Sequence, residues 1–368
     1  MKKKVLFLSP LPPPYYGSAM SSQMCLEILQ KFNKFEVKNI KLNYSKEIND
    51  VGQLNLSKVK GFFIVKKQIK KLLKEFQPEI IYFVPATSGL GLIRDSYFVK
   101  QIKKLTNRKI IFHIRSRITD ESWDKNKKRF IEMLKGEKAI VLDKSLVQDL
   151  HGLIKKEDLF ILPNAIKNEV TEKEIERIFN KRKEKQPLEI LFLSNMDESK
   201  GWLKLLLACR ILKNKKINFR CNFVGDWTTK KDEKKFNLMV KEYDLEKEVK
   251  YLGKKVGKEK NKVFEESNVL VFPTEYKLET FGRVIIEAMM FGLPVIANGI
   301  AVIPTIIQQN KTGFVLKKNT IQEIANSLER LQDKKLREKI GNEGRKRFLN
   351  EYEIKKYKKE FLRIIESV

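Results

Sequence analysis

These 368 residues read as an α/β protein made of two doubly wound halves. Three observations point there. Twelve short apolar runs alternate with Lys/Glu-rich stretches of helical period, the pattern of βαβ units whose parallel strands are buried on both faces. The runs fall into two series of six, divided by one charged stretch. The length suits two domains of average size better than one.

The first series is Lys4–Ser9, Glu36–Leu42, Glu79–Val84, Lys109–His113, Ala139–Leu142 and Leu159–Leu162. The start is basic like a signal peptide, but its apolar run, Val5–Leu8, is far shorter than the ~7–15 residues of a signal core. It reads as the first buried strand of a cytoplasmic protein. Phe62, Val65, Ile69, Leu72, Leu73 and Phe76 share one face of a helix. Lys167–Pro187 is charged, helical in pattern and without an obvious core face. It is the expected link between a domain 1–166 and a domain 167–351. The second series is Leu188–Leu193, Phe219–Val224, Val249–Leu252, Val269–Phe272, Pro294–Ala297 and Gly313–Val315. The tail, Lys334–Val368, reads as helix with a break near Asn350–Tyr352. No run approaches the roughly 20 apolar residues of a membrane span.

Composition narrows the chemistry. Cys25, Cys209 and Cys221 lie in apolar segments, and His113 and His151 are the two histidines. Neither a disulfide framework nor a Cys/His zinc site is expected from such a set. The formal net charge of +30 fits a lysine-decorated surface, a polyanionic partner or an anionic membrane. No nucleic-acid recognition motif accompanies it.

In open α/β sheets ligands bind outside the carboxyl ends of the strands, so the motifs there carry most weight. Leu8–Met24 runs from a strand through prolines to Gly17-Ser18 at a helix start, where free N–H groups suit an anion; Ser18 as a plain N-cap is the alternative. "SGLGLIR" at Ser88–Arg94 lacks the third glycine and the acidic partner of a dinucleotide fingerprint. His113 ends a strand and is followed by Arg115 and Arg117. It suits either a polar substrate or a partly buried structural place. In "LFLSNMDESKGWLKLLL", Lys200 precedes a helix whose dipole disfavours it. An anionic ligand shared with the helix end would remove the conflict; an ordinary solvated lysine is the alternative. In "ETFGRVIIE", Glu279 sits just before a helix. Thr280, Phe281 and Gly282 offer amides at its start, and Glu287 lies on an otherwise apolar helix; a capping Glu279 and a surface Glu287 are the plain alternative.

That last segment, continued by "EAMMFGLPVIA", resembles the E-A-x-x-x-G-x-P-V pattern of the retaining glycosyltransferases of the GT-B fold, the "glycosyl transferases group 1" (family four) class. "ILPNAI" at 161–166, Lys200-Gly201, "VGDW" at 224–227, "YLGKKV" at 251–256 and "NKTGFVL" at 310–316 also fit, and the likeness covers nearly the full length. The resemblance implies two Rossmann-like domains facing across a cleft. The N-terminal one would bind a glycan or lipid-linked acceptor. The C-terminal one would bind a nucleotide-diphosphate-sugar, with the last helix, about 352–368, packing back on the N-terminal domain. It implies that Glu287 holds the ribose, Glu279 the donor sugar and the 280–282 amides the sugar and phosphate. Lys200 would hold the diphosphate, Gly17 and its neighbours would approach that diphosphate, and His113 would lie near the transferred sugar. No metal would be required, anomeric configuration would be retained, and the product would belong to cell-surface polysaccharide or glycolipid assembly. Tyr16 stands where the family often has a second glycine, Asn195 where it usually has arginine, and Thr305 where it often has glutamate. A nucleotide-sugar epimerase or hydrolase on the same fold, or a weakly active partner subunit, are the other readings. Lys58–Phe76, with seven lysines around an apolar stripe, reads either as a helix that helps the N-terminal domain meet anionic lipid on the inner face of the membrane or as an ordinary core-packed helix with a lysine-rich outer face.

Overall fold

The structure, a computed structural model, describes every residue except Met1, Tyr15, 44–55 and 185–186, and leaves out the side chains of 56–58 and 183–184. Tyr15 of the first motif and the Lys58 side chain therefore lie outside the described residues. The chain divides into two compact units: unit 1 is Met1–Asn164 with Lys355–Val368, and unit 2 is Ala165–Ile354.

Unit 1 holds strands β1 (Lys3–Ser9), β2 (Phe35–Lys41), β3 (Ile80–Phe83), β4 (Ile110–Ile114), β5 (Lys138–Val141) and β6 (Leu159–Ile161), with helices α1 (Gly17–Gln30), α2 (Leu56–Glu75), α3 (Gly89–Leu105) and α4 (Asp120–Leu134). The sheet is parallel, in the order β2-β1-β3-β4-β5-β6. Its central strands are apolar on both faces because helices cover both; Val5–Ser9 and Ile110–Ile114 are buried throughout. Phe7 stacks on Tyr82 across β1 and β3, centroids 4.5 Å apart. The last helix, α13 (Ile354–Glu366), sets Phe361 edge-on to Tyr82 and brings the Tyr357 hydroxyl to 2.9 Å from Cys25 Sγ.

Unit 2 holds β7 (Leu188–Leu193), β8 (Phe219–Val224), β9 (Val249–Tyr251), β10 (Val269–Phe272), β11 (Val295–Asn298) and β12 (Gly313–Leu316). They form a second parallel sheet in the order β12-β11-β10-β7-β8-β9. Around it run α5 (Glu172–Glu184), α6 (Trp202–Asn214), α7 (Lys230–Glu242), α8 (Gly257–Glu266), α9 (Arg283–Met290), α10 (Ile303–Ile306), α11 (Ile321–Arg330) and α12 (Lys334–Arg347). All twelve expected strands are present, with ends shifted by at most one residue.

One expectation fails. The stretch Lys167–Pro187 does have a core face. Its α5 buries Ile175 and Ile178, and Arg182 is buried with them. The Arg182 guanidinium donates to the Phe264 and Phe291 carbonyls at 2.8 Å each. A charge-rich pattern hid this, because arginine can go inside when fixed carbonyls receive it. The tail breaks where its sequence suggests. Phe348–Tyr352 forms a turn of π-helix between α12 and α13, and Ile166 bonds to Tyr352 and Ile354 beside it. Among the described residues no helix is long and apolar enough to cross a membrane.

Candidate active site

The strand order of unit 2 reverses between β7 and β10. Connections from β7 lead toward β8, and those from β10 toward β11, so the loops part and leave a crevice at the carboxyl edge. Two loops border it: Ser194–Gly201 after β7, and Pro273–Gly282 after β10. They are laced together. Glu275 N–H donates to the Ser199 carbonyl at 2.7 Å, and Lys204 Nζ reaches Glu275 at 2.6 Å. Gly201 is what allows the approach. Its φ is +88°, and a Cβ there would lie 2.3 Å from the Pro273 carbonyl oxygen.

Lys200 and Glu279 meet in this crevice. Lys200 Nζ lies 2.9 Å from Glu279 Oε2, with both side chains about one-sixth exposed or less. Glu279 Oε1 accepts from the Gly282 amide at 3.1 Å. The Tyr276 ring covers the ammonium, 3.8 Å from Nζ to the ring centroid, and the arrangement gains from the attraction between a cation and a π face. Burial pushes the Tyr276 phenol upward, reinforced by Glu279 and Asp197. The conflict of a lysine beside the start of α6 is thus answered by Glu279 within the chain, before any ligand is considered. The same carboxylate satisfies an amide at the start of α9, where negative charge is favourable.

The other unit 2 residues sit around this pair. Asn195 is exposed on the β7 loop. Thr280 and Phe281 are buried: Phe281 packs edge-on to Tyr352, and the Thr280 carbonyl accepts from Val302 N–H. Gly282, at φ +67°, forms the N-cap of α9. Of the amides at 280–282, that of Gly282 is thus already taken by Glu279. Glu287 lies one and a half turns into α9, where Lys260 Nζ from α8 binds its Oε1 at 2.9 Å.

In unit 1, α1 begins at Gly17 with Tyr16, not Ser18, at the N-cap; no side chain caps it. Gly17 is exposed and Ser18 half-buried. Burial raises the Tyr16 phenol, with Arg94 opposing and Asp95 assisting. Of the two places open to His113 in the sequence, the structure shows the buried one. It lies one residue inside β4 and is fully buried. Its Nδ1 faces the Tyr82 hydroxyl at 2.6 Å and Arg115 Nη2 at 3.3 Å. Arginine can only donate, so Nδ1 is the acceptor and the ring proton sits on Nε2. Nε2 is buried without a hydrogen-bond partner. Burial first, then the Arg115 charge, lowers the His113 pKa well below its ordinary value. Burial works against the Arg115 charge as well, but Cys25, Tyr82 and Tyr357 outweigh it and hold that pKa up.

The model of the glycosyl transferases group 1 matches residues 173–347, nearly all of unit 2. Over that segment, just under half of the chain, the sequence is similar to the group 1 glycosyl transferases. The chain is 28% identical over 286 residues to an uncharacterized 41.2 kDa protein in the cps region of Klebsiella pneumoniae, covering 74% of the chain and 75% of that protein. It is 28% identical over 164 residues to the capsular polysaccharide biosynthesis glycosyltransferase CapM of Staphylococcus aureus, covering 44% of the chain and 41% of CapM. The chain thus spans well under half the length of that relative. In fold it is similar to HepE from Anabaena, solved with UDP, at a TM-score of 0.76 and 16% identity, covering 99% of the chain and all of HepE. A glycosyltransferase from Rickettsia africae gives 0.75 at 19% identity, covering 100% of the chain and 98% of that protein. The fold is GT-B.

Four contacts escaped the sequence: Lys200 with Glu279, Tyr276 over Lys200, Lys260 on Glu287, and Ser199 as the acceptor that joins the loops. Each joins residues at least 27 positions apart, and no local pattern signals them. Among the described residues no cluster of three His, Cys, Asp or Glu could hold a metal ion.

Proposed function

We propose that the chain transfers a sugar from a nucleotide-diphosphate-sugar to an acceptor hydroxyl, with retention of anomeric configuration. The observation that carries the proposal is the Lys200–Glu279 pair at the strand-order reversal of unit 2. A partly buried ammonium beside a helix start is the kind of group that stabilises a departing diphosphate. Incoming phosphate oxygens would draw Lys200 from Glu279 and free that carboxylate to accept from sugar hydroxyls. Glu287, with Oε2 left to accept, would take the ribose hydroxyls. In the transfer itself the donor C1–O bond breaks toward the diphosphate. The acceptor oxygen bonds C1 on the same face, and its proton passes to the leaving phosphate. No resident metal is needed, since Lys200 and helix-start amides meet the charge.

Unit 1 would take the acceptor. The cps-region and capsular relatives favour a growing cell-surface polysaccharide, carried on lipid at a membrane's cytoplasmic face. Asn195 leaves this site one permanent charge short of the family's usual arginine, so a partner subunit of low activity is the second reading. Nucleotide release from a panel of nucleotide-sugars, with and without chelator, tests the proposal. Release that is unaffected by chelator and falls at least a hundredfold in Lys200→Met supports it. Undiminished release in Glu279→Ala would remove the assigned role of Glu279. Proton NMR of the product reads the anomeric configuration.

A further inference from the structure

The amino edge of the unit 2 sheet carries a small pocket, away from the crevice at the carboxyl edge. Asn268 and Pro294, which immediately precede β10 and β11, line it with Arg182 of α5 and with Lys334, Arg337 and Glu338 from the start of α12. It offers about 30 Å³ to the centres of water-sized molecules, roughly twice what one water needs. That is space for a small ion.

The polar groups around it are mostly donors. Asn268 is 3% exposed, and its Oδ1 accepts from the Glu189 N–H at 2.8 Å. That bond fixes the amide, because only the oxygen can accept. The NH2 group points the other way, buried and without a hydrogen-bond partner. Arg182 and Arg337 are buried too. Arg182 donates to the carbonyls of Phe264, Glu265, Phe291 and Gly292, and Arg337 to those of Leu331 and Gln332. All six acceptors are neutral. Burial pulls both guanidiniums below their ordinary value, with Glu265 opposing at Arg182 and Asp333 at Arg337. Lys334 adds a third, exposed charge. Of the nearby acids, Asp333 accepts from the Lys335 and Leu336 amides, and Glu338 already has an interaction of its own. Two buried cations surrounded by dipoles, and a buried NH2 with nothing to donate to, share one remedy: an anion with several acceptor oxygens. Guanidinium geometry matches an oxyanion well.

We infer that this pocket binds a small oxyanion of the phosphate class, with the Asn268 NH2 and the Arg337 guanidinium donating to it and Arg182 and Lys334 adding charge. Arg182 also holds carbonyls just past the end of α9, so the pocket lies at the end of α9 remote from Glu279 and Gly282. The ion neither competes with a sugar donor nor needs turnover.

The test is calorimetric titration of the full-length chain with sodium phosphate at constant ionic strength. Lys200→Met, which takes the cation out of the crevice, should still bind one phosphate per chain. Asn268→Asp keeps an acceptor for the Glu189 N–H and puts a carboxylate where the ion would lie. It should weaken phosphate binding about tenfold or more, the worth of a hydrogen bond to a charged group. In phosphate-free buffer it should melt no lower than wild type, because the new carboxylate stands in for the ion. Lys334→Glu, an exposed change, should weaken phosphate about fivefold while keeping wild-type melting and nucleotide release. Phosphate binding that Lys200→Met abolishes would place the ion in the crevice and overturn the inference. Binding that neither Asn268→Asp nor Lys334→Glu weakens would overturn it as well, as would no binding at all.

Discussion

Glu279 serves two partners, the Lys200 ammonium and the Gly282 amide, and both are groups a diphosphate would want. Its acidic character and its place before a helix were legible in the sequence. Its pairing with Lys200 was not, because 79 residues separate them and only the adjacency of β7 and β10 joins them. In Glu279→Gln the carboxamide keeps a hydrogen bond to Gly282 but loses the charge. Donor affinity should hold while turnover drops at least tenfold, which a kcat against KM comparison reads out. His113 makes a different prediction. It is neutral when folded, with a pKa below its unfolded value of about 6.5. As pH falls below that value the unfolded chain gains a proton that the folded one refuses. Stability contributed at neutral pH is then lost by up to about 1.4 kcal/mol per pH unit. Melting between pH 7.5 and 5.5 should show a steeper fall for wild type than for His113→Gln.

At the scale of elements, the alternation of strands and helices was readable almost to the residue, because parallel strands buried on both faces leave unbroken apolar runs. What misled was α5. Its charges suggested a solvated link, whereas Arg182 reaches inward to carbonyls of α8 and of the turn after α9. Burial pulls that guanidinium down to about 9, with Glu265 opposing. In Arg182→Met the charge goes, but the Phe264 and Phe291 carbonyls lose their donor, so unit 2 should lose about 2–4 kcal/mol. Denaturant unfolding measures it. The loops after β7 and β10 depend on Gly201 at positive φ against the Pro273 carbonyl. Gly201→Ala should cost about 3 kcal/mol and weaken donor binding with it.

On the scale of the molecule, the two six-stranded units give the fold, and the family match covers most of unit 2. Loop chemistry and the unit 1 surface set the sugar and the acceptor, and neither follows from strand order. The tail has a structural part in unit 1, since α13 covers Tyr82 and Cys25. A chain ended after Ile354 should therefore lose its cooperative transition. That the crevice at the β7/β10 reversal holds a nucleotide-sugar is tested most directly by melting the protein with UDP, GDP, ADP and dTDP sugars. Binding to the folded state alone adds about 2.7 kcal/mol at a hundred times Kd. One nucleotide class should raise Tm in a concentration-dependent way, and Lys200→Met should abolish the rise. No shift with any of the four, or a shift that Lys200→Met leaves intact, would contradict it.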